Sequence, residues 1–418
     1  MSIKAAFTEI DITPPPGVRK IGWLRIVVSD HVRDPLYARI AVFETSGSAI
    51  AFIQLDTLSI RWTQVADIRQ RIAVTYGFEG RNIMVSATHN HAGPAVNGWP
   101  GFEREEDYIE EMVSKVVTGF GEALEGLQPA EIGFGSVFEF TLANNRRVIM
   151  RDGTVRTHGN FNSADSLCLE GPIDPEVTVI AVRNSGGEML GALANYACHP
   201  VHHGPDGSLS AGWPGVFADE MKARGCPVPM FINGAAGNLH HSDPVTSTDK
   251  TMEEAGRILA EKVSEALALC EYRKSVELGS RTETVQLPFR DATDDEIKGT
   301  VRGAQRFVDP SLYDAAMPGI LERIQRMGTQ PAEVQVHSID EFAIAGIPAE
   351  YFCELGLHIK EQAYPRRALI AGFTNGMIGY VPHREAFRRG GYETTFGPGS
   401  RLAPAAGDIL AECALRLM

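Results

Sequence analysis

Two histidine-bearing stretches carry the residues that could do chemistry. In the first, the apolar run Ile83-Met84-Val85 feeds His89-Asn90-His91 and then Gly93-Pro94. Neutral imidazole is the commonest metal ligand near neutral pH, and side chains two apart on an extended backbone point the same way. The spacing predicts a buried strand that delivers both rings to the rim of a sheet, either as metal ligands or as ordinary hydrogen-bonded histidines. In the second, Leu190 to Ala197 runs into Cys198-His199-Pro200. Pro200 removes a backbone donor and biases His199 towards an extended conformation, so the direction of its ring is largely set. Cys198 faces the other way on such a strand, which argues against a thiol nucleophile. His202 and His203 lie past the turn in a Gly-Pro-Asp-Gly loop and read as exposed rather than ligating.

Further groups stand where apolar runs end. Glu350 follows the strand Phe342 to Ile347, broken by Pro348, and reads either as a charge at the start of the helix from Phe352 to Lys360 or as a metal ligand. Asp56 closes another strand and reads as a helix cap or a partner for a histidine. Of the pair Arg146-Arg147, one arginine at a strand end could clamp a substrate while its neighbour is solvated. The run Asn233-Gly234-Ala235-Ala236-Gly237-Asn238 is small enough for backbone amides to approach a ligand or form an anion nest. It lacks the Gly-Lys-Ser/Thr end of a phosphate loop.

The elements that must position these groups alternate between strand and helix. Leu36 to Phe43 and Ala49 to Leu55 flank Ser46-Gly47-Ser48, a hairpin signal. Trp62 to Tyr76 has helical spacing, so with the strand before it and the His-x-His strand after it the pattern predicts a βαβ unit. Helices are also predicted over Asp107 to Leu124, Thr251 to Leu269 and Asp295 to Phe307. Strands are predicted over Val137 to Ala143, Val177 to Val182 and Val228 to Ile232, and Ala368 to Tyr380 carries a further strand-end signal. The fold class is α/β, with mixed β-sheets flanked by helices. No linker, repeat or charge block marks a boundary, so residues 1–418 read as one catalytic unit, with 288–330 a lid or helical excursion.

The chain has 418 residues and a formal net charge of −14. That balance disfavours phosphate backbones and anionic membrane surfaces, so no nucleic-acid partner and no integral membrane association are expected. A small neutral or cationic ligand is the expected partner. The N-terminus has no apolar export segment, and the six cysteines show no Cys-x-x-Cys spacing. Both point to a cytoplasmic protein without a disulfide framework.

In order along the chain come Asp11-Ile12-Thr13-Pro14, Asp34-Pro35-Leu36-Tyr37-Ala38-Arg39, Thr88 to Pro94, Asn145-Arg146, Gly171-Pro172-Ile173-Asp174-Pro175, Cys198-His199-Pro200, Pro348-Ala349-Glu350, Asn375 to Tyr380 and Gly391-Tyr392-Glu393. This series resembles the catalytic domain of the neutral/alkaline ceramidases over essentially the whole chain. The resemblance implies one Zn²⁺ per chain held by His89, His199, Glu350 and Tyr380. It implies that His91, Arg146 and Tyr392 line the substrate side, and that the reaction is hydrolysis of an amide, or of an ester or lactone, by metal-activated water.

Those ceramidases carry a Ser-Asn-x-Gly-Asp type stretch where this chain has Asn233 to Asn238, which offers no hydroxyl nucleophile. They also carry a C-terminal β-sandwich domain, whereas this chain ends at Met418. Together with the acidic balance, these departures shift the expected substrate from ceramide to a small soluble molecule. Two other readings fit the strand-end histidines: a metal-dependent amidohydrolase on a (β/α)₈ barrel, which the hairpins fit badly, and a catalytically silent metal-binding protein.

Overall fold

The computed structural model describes residues 2–23, 25–98, 102–307 and 309–418. The larger of its two main sheets runs, from one edge, through Pro229–Asn233, Met189–Tyr196, Glu176–Asn184, Gln128–Phe138, Lys4–Asp11, Tyr37–Glu44, Ala49–Leu55 and Ile83–Ala87. The smaller runs Leu278–Pro288, Thr329–Ile339, Phe342–Gly346 and Arg367–Ala371. Both are mixed. Hairpins give antiparallel pairs, and the parallel pairs, Ala49–Leu55 with Ile83–Ala87, Met189–Tyr196 with Pro229–Asn233 and Phe342–Gly346 with Arg367–Ala371, are bridged by Trp62–Tyr76, Trp213–Ala223 and Cys353–Gln362.

The two sheets pack face to face. Phe43, Phe52, Ile132, Leu193 and Met230 of the larger meet Ile339, Phe342, Ile344 and Leu369 of the smaller, with Phe134 and Phe342 stacked at 3.8 Å between centroids. The outer face of the larger sheet is covered by Trp62–Tyr76 and Glu106–Glu125 at one end and by Trp213–Ala223 and Met252–Ala268 at the other. Cys353–Gln362 and Ala406–Leu417 cover the smaller. Helix, sheet, sheet and helix form four layers, and the open sheet edges exclude the barrel reading. No helix among the described residues is long and apolar enough to cross a membrane.

Local sequence explains where the elements stop. Helix Met252–Ala268 begins at Thr251, whose hydroxyl accepts from the Glu254 amide while the Glu254 carboxylate accepts from the Thr251 amide, a capping box. The helix expected over Asp295 to Phe307 is only the turn Asp294–Lys298, because Gly299 takes the left-handed conformation (φ 68°) and ends it. The long helix of that region is Pro310–Met327, which starts at the Asp309 cap with proline in its first turn. The strand expected over Val137 to Ala143 lies earlier, at Gln128–Phe138, since the Glu139 carboxylate accepts from the amides of Thr141 and Leu142 and turns the chain.

Candidate metal centre

His89 and His91 do converge, but not by strand alternation. The strand ends at Ala87, and His89 has a left-handed backbone, φ 69°. Such a conformation is costly for a residue with a side chain and persists only where its surroundings hold it. Here the His89 ring stacks on Phe373, itself left-handed (φ 55°), at 4.0 Å between centroids. Asn375 (φ 58°) ties that loop to the histidine strand by accepting from the Val85 amide at 2.9 Å and donating to Gln335 at 2.6 Å. The Gly372–Asn375 turn, joined to the smaller sheet, thus clamps the histidine turn at the end of the larger one.

Each ring is oriented through its other nitrogen. Nδ1 of His89 donates to the Leu58 carbonyl at 2.7 Å, Nδ1 of His199 to Ala236 at 3.0 Å and Nδ1 of His91 to Gly22 at 2.9 Å. A carbonyl only accepts, so Nδ1 carries the hydrogen and each neutral ring turns an Nε2 lone pair inward. Gly22 (φ 122°) must be glycine, because a Cβ there would sit 2.9 Å from the His91 ring nitrogen.

The inward atoms meet. Nε2 of His89 lies 3.0 Å from Nε2 of His199 and 3.3 Å from Nε2 of His91, and Oε2 of Glu350 lies 3.4 Å from Nε2 of both His89 and His199. That carboxylate oxygen is buried and has no hydrogen-bond donor. A proton could satisfy one edge of this cluster, whereas a cation satisfies all of them. A tetrahedral zinc site with ligand bonds of about 2.1 Å has edges of about 3.4 Å, so the spacing fits. Burial, then the neighbouring imidazoles, pushes His91 well down in pKa, and burial with Arg146 and His89 takes His199 down to about 4. Burial alone would raise Glu350, but His89 and His199 overcome it and hold the carboxyl well below its ordinary range.

Glu350 reaches the cluster from a two-residue strand, Glu350–Tyr351, paired in parallel with Tyr380–Val381 so that Glu350 stands opposite Tyr380. The small-residue run beside it works by close packing and not as an anion nest. A Cβ on Gly237 would lie 2.4 Å from the Glu350 carbonyl oxygen, and the Gly237 amide donates to Tyr351.

Arg146 and Arg147 are both buried, against the expectation of a solvated partner. Arg146 donates to the Tyr380 hydroxyl at 3.2 Å, to the Gly237 carbonyl at 2.9 Å and to Glu393 at 2.8 Å. Arg147 pairs with Glu170 and with Glu393, and Thr157 donates to Glu393 as well. Burial opposes the Glu393 charge, but Arg147 and Arg146 prevail and its carboxyl falls to about 2. Tyr392 stands edge-on to Tyr380 at 5.5 Å. All seven sequence-predicted site residues are therefore brought together, six of them in the direct contacts above and Tyr392 beside them.

Other expectations resolve differently. Asp56 neither caps a helix nor touches a histidine: it pairs with Arg39 at 3.0 Å. Cys198 is fully buried, and burial pushes its thiol up, so it is no nucleophile. His202 is half-buried, stacked on His241 at 4.2 Å, beside a second cluster of His240, His241 and Asp249 whose ligand atoms lie within 4.8 Å of one another. Only His203 faces the loop, against Asp206.

A cavity of about 420 Å³ opens over the centre, lined by His89, His91, Glu350, Tyr380 and Tyr392. Its outer walls carry Trp23, Trp62, Ile320, Met377 and the arginines Arg61, Arg323, Arg326 and Arg401. The arginines were not legible as a group, being single residues far apart in sequence.

Two face-to-face mixed sheets flanked by helices match the fold of the ceramidase catalytic domain. In sequence the chain is similar to neutral ceramidase from Pseudomonas aeruginosa, 23% identical over an alignment of 451 residues that takes in 89% of this chain and 65% of that protein. The crystal structure of neutral ceramidase from that organism superposes with a TM-score of 0.77 at 19% identity, covering 100% of this chain and 74% of the other. A ceramidase complexed with C2 gives a TM-score of 0.78 at 18% identity, covering 100% and 75%. No protein-family model matches. The chain thus spans 65% of the length of the relative it matches, and the resemblance read from its motifs is borne out in sequence and in fold.

Proposed function

We propose that this chain is a ceramidase-like, metal-dependent hydrolase that adds water across the amide bond of a small molecule. One observation carries the reading: the Nε2 lone pairs of His89 and His199 and an undonated Glu350 oxygen face one another at 3.0–3.4 Å on the floor of a substrate-sized cavity, with Nε2 of His91 3.3 Å from that of His89. His89, His199, Glu350 and Tyr380 are the residues that would hold the ion, with nitrogen and oxygen donors suited to zinc. A divalent cation bound there supplies Lewis acidity, lowering the pKa of water towards about 7.

The remaining steps belong to side chains. Nδ1 of His91 is committed to Gly22, so its Nε2 is free to take a proton from the attacking water and return it to the departing nitrogen. Arg146 orients the Tyr380 hydroxyl, and Glu393 fixes Arg146. The Tyr392 hydroxyl, on the cavity wall, is placed to donate to the oxyanion that develops on the carbonyl. The stacked Phe373 closes the floor beneath His89 and keeps water from that side.

A cavity of about 420 Å³ suits a drug-sized amide, which supports a small soluble substrate. The name of the relative points to ceramide, so ceramide belongs in the same test. Metal content would be measured on protein purified without an affinity tag, beside hydrolysis of short N-acyl amides, lactones and detergent-dispersed ceramide. About one ion per chain with amide turnover is the expected result. One ion with no turnover of any member would favour the silent metal-binding reading, and no ion after zinc is added back would end the metal proposal.

A further inference from the structure

We infer that the cavity holds an oxyanion subsite, and that its substrate is a short amide carrying a carboxylate, sulfonate or phosphate at the end remote from the bond that is cut. This rests on the cavity being the substrate site, as proposed above. It reverses, locally, the neutral or cationic ligand expected from the net charge of −14.

Elsewhere in the molecule buried arginines have carboxylate partners: Arg39 with Glu9 and Asp56, and Arg146 and Arg147 with Glu393. The four that line the cavity, of which Arg401 is buried, Arg61 and Arg323 are half-buried and Arg326 is exposed, do not. Among the described residues, no carboxylate lies within ion-pair distance of Arg61, Arg323, Arg326 or Arg401, and the one acid on the cavity wall is Glu350, which belongs to the metal centre. Arg401 is only 9% exposed, and its single hydrogen bond goes to the Pro398 carbonyl, at 2.8 Å. The Nε atoms of Arg61, Arg323 and Arg401 are buried without an acceptor.

Leaving a buried guanidinium unpaired is expensive. The cost is visible in the pKa directions: burial and then Arg323 bring Arg401 down to about 10, and burial and then Arg326 lower Arg323. An arrangement that repels itself when empty is relieved by a bound anion, which a planar guanidinium meets with two parallel hydrogen bonds.

The cationic wall is also built to hold its shape. Guanidinium carbons of Arg61 and Arg323 lie 5.4 and 5.6 Å from the Trp62 ring, one indole serving two cations. Ile320, Arg323 and Arg326 follow one another at helical spacing on Pro310–Met327, so one face of that helix turns two arginines to the cavity. Leu58, Ile320 and Met377 add apolar surface to the same cavity. The complementary ligand has a reactive amide, a short apolar spacer and an anionic end.

The test is binding of octanesulfonate, a weak metal ligand, against octanamide, an uncharged molecule of equal chain length, to the metal-loaded full chain by titration calorimetry. The expected result is about tenfold tighter binding of the sulfonate, the worth of one charge-assisted hydrogen bond, with the preference shrinking as salt is raised. R323Q and R326Q, at half-buried and exposed positions, should each remove most of that preference and leave octanamide affinity in place. Equal affinity for the two compounds, no binding of either, or a preference that survives both substitutions would overturn the inference. An arginine-dependent preference in a protein that hydrolyses no amide would sustain the subsite and sink the catalytic reading. Amide turnover with no preference would do the reverse.

Discussion

The floor and the outer wall of the cavity have opposite deficits. On the floor, three Nε2 lone pairs and a carboxylate oxygen converge with no hydrogen to share. On the wall, four guanidinium groups present hydrogens with no carboxylate to accept them. Each cluster would be destabilising as it stands, and each is explained by a missing partner of the other sign, a cation below and an anion above. The difference teaches where binding energy enters: the floor is oriented by backbone carbonyls that fix every ring, while two of the wall's guanidinium groups are held against a single indole.

The comparison is broken most directly at the floor. His199→Ala or His89→Ala removes a lone pair that no neighbour replaces; the expected outcome is loss of nearly all of the roughly one ion per chain, and amide hydrolysis at background. Metal retained in full by both variants would remove the basis for reading the floor as a cation site. Next, Tyr392→Phe keeps the ring on the wall and deletes its hydroxyl. A drop in kcat of about a hundredfold with metal content unchanged is expected, the scale of one lost oxyanion donor; an unchanged kcat would move that donor elsewhere.

Metal addition sharpens the contrast more gently. With free zinc at about a hundred times its Kd, the folded state should gain about 3 kcal/mol, read as a rise in Tm that a chelator reverses. The smallest effect tests a histidine outside both regions. His337 is buried between the sheets with Phe52 edge-on at 5.0 Å, and burial takes it down to about 3. Its folded pKa lies below its unfolded value of about 6.5, so the stability it supports is complete above that value and is lost as pH falls towards 3. His337→Gln should flatten the decline of unfolding free energy in that window by up to about 1.4 kcal/mol per pH unit. An unchanged slope in urea titrations at pH 6 and pH 4 would contradict the assignment.

Part of the floor was legible because the candidate ligands His89, His199 and Glu350 follow apolar runs, while the full set with Tyr380 rests on the family resemblance. Helix Trp62–Tyr76 matches its expected span residue for residue, and the first hairpin falls where Ser46-Gly47-Ser48 predicts. His89, His199, Glu350 and Tyr380 carry recognisable flanks, Pro200 and Pro348 among them. What failed was inference from local period alone. Left-handed backbone at His89 is imposed by Phe373, almost three hundred residues away, and alternation cannot foresee it. The buried pair Arg146-Arg147 reads as surface until Glu393 and Glu170 arrive from distant segments. The wall was invisible for a related reason: net charge averages over the whole chain, whereas Arg61, Arg323 and Arg401 meet only after both sheets have docked.

That docking has a consequence for how the centre comes into being. His89 and His199 are 110 residues apart, and Glu350 and the Gly372–Asn375 turn arrive with the smaller sheet. No short peptide holds even two of the converging donors with their orienting carbonyls. Loop closure over such distances comes late, after local hairpins and helices have formed. The ion therefore cannot template early folding here as it does in a zinc finger. Its uptake during refolding would keep time with the slowest structural step, making metal capture a clock for the completed interface between the sheets.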